Sequence, residues 1–369
     1  MKIVYLYSSL AIMGGVERVL VDKMNYLVNH GYEVYMITSD QGQHPIPYKL
    51  DERVHFCDLQ IRFHSQYQYR GWQRLKAGKR LRCIYHKRLK EKLEEIHPDI
   101  LLCTTSQDVR GILRIKGYIP LIVESHVNFT HPDSWLSRAR TLYNNYWIGK
   151  ADSVVTLTHG DAENWKHVSR HVHIIPNIVH LNEMGRYSNC VNKRAIFVGR
   201  LVEQKGLPDL INVWRIVNQR YPDWRLDVFG DGQMDSLPEI KLFVHPPTCK
   251  IMEEYLNSSM LLMTSIYEPF GLVLPEAMSC GLPVVAFDSP YGPADIIKHE
   301  STGFLVPHRD INLFADYVCQ LIESPGLRQT FGTVGVKTSR QYHANNIMPQ
   351  WQRLFSDLTS KELFLERKE

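Results

Sequence analysis

Two carboxylates, Glu268 and Glu276, stand eight residues apart where an apolar run gives way to a helical pattern. The backbone N–H groups of Phe270, Gly271 and Leu272 are expected to point out of the helix N-terminus and bind phosphate or sugar oxygens. Glycine at 271 lets a ligand approach the backbone closely. Glu276 could accept hydrogen bonds from ribose hydroxyls. The structural alternatives are an exposed helix carboxylate at 276 and a charge complementing the helix dipole at 268.

Two cations, Arg200 and Lys205, follow the first strand-like run of the same half of the chain, Ala195 to Gly199. A bound diphosphate needs cations at such a loop, and each charge-assisted hydrogen bond contributes about 1.5 to 3 kcal/mol. The alternative is a pair of solvated loop side chains. The two cations together with the two carboxylates favour a site for a phosphorylated, hydroxyl-rich ligand.

Short β-branched or aromatic runs alternate with longer amphipathic segments in the first half of the chain, which predicts a buried, mostly parallel sheet. The predicted strands are Ile3 to Tyr7, Glu33 to Thr38, Ile100 to Thr104, Pro120 to Glu124 and Ser153 to Thr158, and the predicted helices are Val16 to Val28 and Leu75 to Ile96. Lys2 and the run Ile3 to Met13 could pass for a short signal peptide, but no small-residue cleavage site follows, which favours a mature strand.

A second alternation follows a polar stretch, residues 179–192, which is predicted to be a linker. Its predicted strands are Ala195 to Gly199, Arg225 to Phe229, Lys241 to Val244, Met260 to Thr264 and Pro283 to Phe287, and its predicted helices are Leu210 to Arg220, Lys250 to Ser258, Val273 to Ser279 and Ile311 to Ile322. Two tandem α/β domains follow from this pattern. Because open α/β sheets bind ligands at the carboxyl ends of their strands, we expect a site shared between the domains.

Composition excludes several classes of protein. The 369 residues are 44% hydrophobic and 22% charged, and 43 Lys plus Arg against 39 Asp plus Glu give a net charge of +4, which is too mild for a nucleic-acid-binding protein. The seven cysteines include no Cys-x-x-Cys pair, which favours a reducing cytoplasm over a disulfide framework or a zinc site. P-loop, zinc-protease and serine-hydrolase motifs are absent from the sequence.

The order of several motifs resembles glycosyltransferase family 4, whose members have the GT-B fold. The resemblance covers the chain from Met1 to about Arg340 and is carried by Gly14-Gly15-Val16-Glu17, Gly199-Arg200 with Lys205-Gly206, and Glu268-x7-Glu276 followed by Cys280-Gly281-Leu282-Pro283. It implies an α/β fold of two Rossmann-like domains that face each other across a cleft. The expected domains are an acceptor-side domain, 1–178, joined by a C-terminal helix, about 345–369, that crosses back to it, and a donor-binding domain, 179–344.

The resemblance implies a retaining, metal-independent hexosyl transfer from a nucleotide diphosphate sugar to a glycan or lipid-linked acceptor in cell-surface polysaccharide synthesis. A UDP-sugar is expected because it is the commonest donor in such families, and no cofactor is expected. In the implied roles, Glu276 holds the ribose, Glu268 contacts the donor sugar, and Arg200 and Lys205 neutralise the diphosphate. Retention without an evident nucleophile suggests front-face displacement, which depends on positioning and leaving-group stabilisation.

The first domain supplies the remaining expected site residues. Gly14 and Gly15 match the family's glycine loop, where missing side chains would let diphosphate and acceptor meet. His126 resembles the family's histidine at the cleft and is expected to contact the donor sugar, the alternative being a histidine satisfied within the core. One departure from the family concerns Phe243-Val244-His245-Pro246-Pro247, which replaces the usual phenylalanine-x-glycine turn, so the base-binding pocket differs.

A basic segment, Arg62 to Lys92, carries interleaved aromatic residues and a single acid, Glu91. It is expected to bind an anionic membrane surface or an acidic acceptor, with about 1 kcal/mol available per basic residue close to the membrane. A solvated helix face is the bland alternative, and nucleic-acid binding is disfavoured. The expected location is cytoplasmic, with peripheral attachment to the inner face of the membrane.

Three other functions stay open for a chain of this kind. A nucleotide-sugar epimerase or a phosphorylase could use the same fold, and a catalytically silent GT-B-like protein would bind nucleotide without turnover. A nicotinamide-dependent enzyme is disfavoured because the segment after Gly230-Asp231-Gly232 has Asp235 in place of the third fingerprint glycine.

Overall fold

A computed structural model of the protein describes residues 1–127 and 134–360. The chain divides into two compact units. Unit 1 comprises Met1–Leu157, Ala162–Ile178 and the residues from Met348 onward, and unit 2 comprises Thr158–Asp161 and Val179–Ile347. The end of the predicted C-terminal helix, 361–369, lies outside the described residues.

The first part of the chain builds a parallel sheet with helices between its strands. In chain order the elements are β1 (Lys2–Tyr7), α1 (Gly15–Asn29), β2 (Glu33–Thr38), β3 (His55–Asp58), α2 (Gly71–Ile96), β4 (Ile100–Thr104), α3 (Val109–Ile115), β5 (Leu121–Glu124), α4 (Trp135–Ile148), β6 (Ser153–Thr156), α5 (His159–Lys166) and β7 (Val172–Ile174). The strand order is β3-β2-β1-β4-β5-β6-β7, and every neighbouring pair is parallel.

The second part repeats this plan. Its elements are β8 (Arg194–Val198), α6 (Leu207–Arg220), β9 (Arg225–Phe229), β10 (Leu242–His245), α7 (Ile251–Leu256), β11 (Met260–Met263), α8 (Val273–Ser279), β12 (Val284–Phe287), α9 (Gly292–Ile296), β13 (Gly303–Val306), α10 (Ile311–Glu323), α11 (Pro325–Ser339) and α12 (Ala344–Thr359). The strand order is β10-β9-β8-β11-β12-β13, again with parallel neighbours throughout.

Strands of both sheets are apolar without alternation, which is the pattern of a sheet that helices cover on both faces. All residues of β4, β5, β11 and β12 are buried, as expected for strands covered by helices on both sides. The amphipathic helix α12 buries Trp351, Leu354, Phe355 and Leu358 and lies in unit 1 from Met348 onward. The predicted fold of two Rossmann-like halves is confirmed.

The strand order places a switch point in each sheet, where the chain's direction of progress reverses. In unit 1 it lies between β1 and β4, and in unit 2 between β8 and β11. Ligands of open α/β sheets bind outside the carboxyl ends of the strands at such points. The loops that follow these four strands are therefore the first places to look for a site.

The stretch 179–192, predicted to be a linker, contains neither helix nor strand and follows the boundary between the two units at residue 178. It packs on unit 2: the Ser188 N–H donates to the Cys280 carbonyl over 2.8 Å, and the buried Arg328 guanidinium donates to the Cys190 carbonyl over 2.9 Å. Cys190 itself is buried. Within residues 1–127 and 134–360, no helix is long and apolar enough to cross a membrane.

Candidate functional site

The loops after β8 and β11 bring a cation and a carboxylate together at the switch point of unit 2. The Lys205 ammonium forms an ion pair with Glu268, and the Ser265 hydroxyl donates to the same carboxylate oxygen, Oε2, over 3.0 Å. Ser265 and Glu268 are buried, and the Lys205 side chain is 15% exposed. The alternative of a solvated lysine at 205 is wrong, because its charge is largely removed from water and paired.

Tight backbone packing fixes the position of Lys205. Gly206 adopts a left-handed conformation with φ of +63°, and a Cβ there would lie 2.0 Å from the Thr264 carbonyl oxygen. The Thr264 hydroxyl in turn lies 3.1 Å and 3.2 Å from the carbonyl oxygens of Lys205 and Gly206. Only glycine permits this approach, so the end of β11 locks the cationic loop in place.

Glu268 is held by backbone as well as by side-chain contacts. Its N–H donates to the Pro290 carbonyl over 2.7 Å, and its carbonyl accepts from the N–H groups of Tyr291 and Gly292 over 3.0 and 2.8 Å. A Cβ at Gly292 would lie 2.1 Å from the Phe270 carbonyl oxygen, so the two loops are in direct contact. The carboxylate of Glu268 therefore projects from a rigid double loop rather than from a free chain.

Glu276 is buried on α8 with only 4% of its surface exposed. The Tyr255 hydroxyl donates to its Oε2 over 3.3 Å. The alternative of an exposed helix carboxylate is therefore wrong. Burying a carboxylate costs free energy unless it is hydrogen-bonded, and the Tyr255 hydroxyl supplies such a bond; the predicted role of Glu276 in binding ribose stays a prediction.

The loop before α8 keeps its backbone donors available. Leu272 is the N-cap of α8 without a side-chain capping bond, and Gly271 has φ of +94°. Within the described part of the chain, the N–H groups of Phe270, Gly271 and Leu272 have no hydrogen-bond acceptor. Their predicted role in binding the donor stays a prediction.

Arg200 differs from Lys205 in being exposed. Its guanidinium reaches the Gln204 amide oxygen at 3.5 Å, a marginal hydrogen bond. The side chain is thus free to reorient toward an anion at the carboxyl end of β8. Its assigned role at the diphosphate likewise stays a prediction.

Gly14 and Gly15 begin α1 in unit 1, after the end of β1. A Cβ at Gly14 would lie 2.2 Å from Glu17 Oε2, and Glu17 accepts a hydrogen bond from the Tyr7 hydroxyl over 2.9 Å. Tyr48 also donates to the Gly14 carbonyl over 3.0 Å. A glycine at position 14 therefore leaves room for the buried Glu17 carboxylate. Its predicted role in the approach of a ligand stays a prediction.

His126 follows β5 and is buried, with 7% of its surface exposed. Its Nε2 lies 3.0 Å from Glu124 Oε2, which also lies 2.7 Å from the Lys23 ammonium. Its Nδ1 is buried and has no hydrogen-bond partner among the described residues. The alternative of a core-satisfied histidine therefore describes only one of the two ring nitrogens.

The segment that departs from the family forms β10 and ends in a stack of rings. The His245 imidazole lies on Phe229 with ring centroids 4.6 Å apart, and its Nε2 is 2.9 Å from Asp227 Oδ1. Asp227 also pairs with Arg194 and, over 3.2 Å, with Arg225. These rings occupy the carboxyl ends of β9 and β10, next to the switch-point strand β8.

Sequence reasoning missed Ser265, Tyr255 and Lys23. The sequence around Ser265 and Tyr255 does not indicate a functional role, because their contacts with Glu268 and Glu276 arise only when the fold brings them together. Lys23 did carry a signal: it falls at helical spacing between the apolar residues Val19 and Leu27, where a charge indicates a buried partner. No group of three or more metal-ligating side chains occurs in residues 1–127 and 134–360.

Two family models match the chain in succession. The model of Glycosyltransferase Family 4 matches residues 13–183, and that of Glycosyl transferases group 1 matches residues 191–338. Together they include all the candidate residues described above, from Gly14 to Glu276.

Curated relatives match over nearly the whole chain. The amylovoran biosynthesis glycosyltransferase AmsD of Erwinia amylovora is 27% identical, over 96% of this chain and 99% of its own length. The poly(ribitol-phosphate) alpha-N-acetylglucosaminyltransferase of Staphylococcus aureus is 25% identical, over 74% of this chain and 58% of its own length.

Solved structures show the same fold at low identity. TarM of S. aureus, solved as a G117R mutant with Fondaparinux, alpha-GlcNAc-glycerol and UDP, has a TM-score of 0.77 at 16% identity, covering 96% of this chain and 99% of that one. The sucrose-phosphate synthase of Thermosynechococcus elongatus has a TM-score of 0.78 at 18% identity, covering 97% and 99%. HepE of Anabaena, solved with UDP and glucose, has a TM-score of 0.71 at 19% identity, covering 97% and 100%.

Proposed function

We propose that this chain, which belongs to glycosyltransferase family 4, transfers a hexosyl group from a UDP-sugar to a glycan or lipid-linked acceptor during polysaccharide synthesis. The observation that carries the proposal is the Lys205–Glu268–Ser265 cluster at the switch point of the unit 2 sheet. Exposed Arg200 and buried Glu276 flank this cluster in sequence. Cations for a diphosphate and carboxylates for hydroxyl groups thus come from the loops that a nucleotide-binding sheet uses.

Each residue has a distinct task in this proposal. Arg200 and Lys205 stabilise the negative charge that grows on the departing diphosphate, and Glu276 accepts hydrogen bonds from the ribose hydroxyls. Glu268 accepts from donor-sugar hydroxyls, which compete with Lys205 for its oxygens. When a diphosphate binds, Lys205 exchanges its carboxylate partner for phosphate, and the donor-sugar hydroxyls and Ser265 then hydrogen-bond the Glu268 carboxylate.

Transfer with retention follows a front-face displacement in the proposal. The acceptor oxygen forms the new bond to the anomeric carbon while the bond from that carbon to the diphosphate oxygen breaks. The acceptor proton passes to the departing diphosphate oxygen, and no metal takes part. The chain then contributes positioning and charge stabilisation.

The nature of the acceptor is supported by relatives of this chain. A relative that matches over almost its full length is an amylovoran biosynthesis enzyme, and another acts on poly(ribitol-phosphate). Solved proteins of the same fold contain UDP. We infer a UDP-sugar donor and a polymeric or lipid-linked acceptor from these names and from the cation-bearing site.

The test is transfer in EDTA by the full chain, with UDP-glucose, UDP-galactose or UDP-N-acetylglucosamine as donor and a panel of octyl glycosides as acceptors. Release of UDP is followed, and the anomeric coupling of the product is read by proton NMR. The proposal expects an α-linked product from one of these α-donors. A β-linked product contradicts retention, and UDP binding without any release identifies a silent nucleotide-binding protein.

A basic and aromatic surface in unit 1 supports peripheral attachment to an anionic membrane. On α2 the last third is charge-balanced, since Lys87, Lys90 and Lys92 pair with Glu91, Glu94 and Glu95. Five cations nearer its start, by contrast, have no ion-pair partner among the described residues: Arg74, Lys76, Lys79, Arg80 and Arg82. These side chains are exposed and available to an anionic surface, and the alternative of a solvated helix face stays open.

The helix α4, which was not predicted from the sequence and which packs against α3, adds exposed aromatic side chains to unit 1. It contains no acidic residue, and Ile148 is its only buried residue. Its exposed apolar side chains are Trp135, Leu136, Leu142, Tyr143 and Tyr146. The helix α3 packs against both α2 and α4, and Arg110 on α3 lies over the rings of Tyr143 and Trp147 at 5.5 and 5.3 Å. Exposed aromatics beside unpaired cations are what an anionic lipid surface binds.

Co-sedimentation with vesicles tests the attachment. Replacing Lys76, Lys79 and Arg80 by glutamine is expected to weaken binding to phosphatidylglycerol-containing vesicles by about two orders of magnitude, at about 1 kcal/mol per charge. Replacing Lys87, Lys90 and Lys92 removes the same charge from the paired end of α2 and is expected to have a smaller effect. Equal losses, or no binding by the unmutated chain, would contradict the attachment.

A further inference from the structure

A charged side chain is buried in the apolar face of α1. Lys23 is 2% exposed, and its ammonium lies 2.7 Å from Glu124 Oε2 and 3.4 Å from the centroid of the Trp351 ring on α12. Removing a lysine and a glutamate from water is costly, and replacing such a pair by apolar residues is often neutral or stabilising. A role in stability alone therefore explains this pair poorly.

Glu124 also contacts His126, a residue of the candidate site. Glu124 ends β5, and the oxygen that meets Lys23 also lies 3.0 Å from His126 Nε2. Burial raises the pKa of Glu124, but Lys23 and the His126 hydrogen bond outweigh burial and bring it down to about 2. The carboxylate is thus ionised at neutral pH and can only accept, so Nε2 of His126 must carry a hydrogen.

The other ring nitrogen is left for a ligand. His126 Nδ1 is buried without a hydrogen-bond partner among the described residues. When Nε2 carries the hydrogen of a neutral imidazole, Nδ1 has a lone pair and accepts. A buried acceptor without a donor costs free energy, which a ligand hydroxyl would recover.

Lys23 supplies a positive charge beside the carboxylate that contacts His126. A lone buried carboxylate would favour the imidazolium form of its neighbour, whose Nδ1 would then donate instead of accept. Lys23 balances the carboxylate, so the pair has no net charge. The other titratable groups that act on Glu124 are Tyr5 on β1 and Cys103 on β4, and neither supplies a positive charge.

We propose that Lys23 and Glu124 are positioning residues that hold His126 as the neutral Nε2–H tautomer, so that Nδ1 accepts a hydrogen bond from a hydroxyl group of a sugar ligand. This inference rests on the proposed function for the sugar and on the contacts of unit 1 for the tautomer. Trp351 takes part by enclosing the ammonium, which connects the C-terminal helix to the histidine.

The tautomer is read without any substrate. The full chain is labelled with 15N-histidine, and its long-range proton–nitrogen spectrum at pH 7 is assigned by comparison with His126→Gln. The unmutated chain is expected to show the neutral Nε2–H pattern for His126. The Lys23→Met variant is expected to shift His126 toward the imidazolium, and Glu124→Gln to mix the two neutral tautomers.

The double variant Lys23→Met/Glu124→Gln guards against misfolding, because it leaves no unpaired buried charge. It is expected to keep a cooperative melt and to lower kcat for UDP-sugar hydrolysis tenfold to a hundredfold, with the affinity for UDP unchanged. Asp152→Asn is the matched control, because Asp152 also forms an ion pair, with Lys116 over 3.1 Å. It lies at the amino-terminal end of β6, whereas Glu124 lies at the carboxyl end of β5. Its kcat is expected to stay within twofold of the unmutated value.

Two results overturn the inference: an Nδ1–H tautomer or imidazolium in the unmutated chain at pH 7, or a double variant with unchanged kcat. Failure of the proposed function looks different. It is the absence of UDP-sugar turnover in the unmutated chain, seen before any substitution is made and independent of the tautomer.

Discussion

Glu268 is the residue at which charge and hydroxyl recognition meet, because its carboxylate accepts from Ser265 and pairs with Lys205. We expect Glu268→Gln to keep UDP affinity or tighten it, since the amide frees Lys205 for the diphosphate. Turnover of the UDP-sugar is expected to fall at least a hundredfold, because the amide oxygen is a weaker acceptor for the sugar hydroxyls. Calorimetry with UDP and a UDP-release assay measure the two effects.

Glu323→Gln is the control for that substitution, since Glu323 is exposed at the end of α10 and contacts Tyr221. It is expected to alter neither quantity. A Glu268→Gln variant with full turnover would remove the carboxylate from the proposed mechanism.

The lowered pKa of Glu124 is expected to make the stability of the folded chain depend on pH. Its pKa is about 2 in the folded chain against an ordinary value of 4.5, so its contribution is complete above about pH 4.5 and is lost as the pH falls toward 2. Glu124→Gln is therefore expected to lower Tm by several degrees at pH 7 and by progressively less between pH 4.5 and 2.5. Melting curves at constant ionic strength measure this, and a Tm difference independent of pH would contradict it.

Sequence reasoning at this scale identified residue types better than environments. The spacing of Glu268 and Glu276 predicts two functional carboxylates, but burial of Glu276 and its contact with Tyr255 depend on α7 and α8 coming together. Glu124 was visible only as the acid at the end of an apolar strand. Its partner Lys23 lies 101 residues away, and a pairing over that separation is decided by strand order.

At the scale of elements, α12 stabilises unit 1 through Trp351, which is 2% exposed and covers Lys23. We expect Trp351→Ala to lower the free energy of unfolding by about 3 to 5 kcal/mol, the usual cost of removing a buried tryptophan. Urea denaturation measures it. Arg353→Ala changes an exposed residue of the same helix and is expected to cost far less; equal effects would contradict the assigned packing.

The elements that the sequence predicted are those with one clear hydrophobic pattern. Apolar runs without alternation predicted the buried strands, and α1, α2, α6 and α10 were found by their apolar faces. The helix α4 was not predicted, because its apolar residues are exposed and therefore follow no core-facing pattern. The helix α11 escaped because of its internal glycines: a Cβ at Gly332 would lie 2.1 Å from the Gly281 carbonyl oxygen, so close packing selects a residue that otherwise disfavours helix.

At the scale of the whole molecule, two sheets of the same design carry different chemistry at the carboxyl ends of their strands. The loops at the unit 2 switch point carry Arg200, Lys205 and Glu268, whereas unit 1 supplies a neutralised Lys23–Glu124 pair and His126. An exposed arginine and a lysine that can exchange its carboxylate partner suit a charged nucleotide, and a neutral acceptor suits a sugar hydroxyl. This division of labour could be predicted from the alternation of elements and the family resemblance, but not the contacts that tune it.

The central claim is that unit 2 binds the nucleoside diphosphate of the donor. The most direct test is calorimetric titration of UDP, with GDP and ADP for comparison, into the full chain in EDTA, repeated with Glu276→Ala and Arg200→Ala. One charge-assisted hydrogen bond contributes about 1.5 to 3 kcal/mol to the free energy of binding. Each variant loses such a bond and is therefore expected to bind UDP about ten- to a hundredfold more weakly. Arg220→Ala, an exposed arginine at the far end of α6, is expected to bind like the unmutated chain. Unchanged UDP affinity in both site variants, or no binding of any nucleotide by the unmutated chain, would contradict the claim.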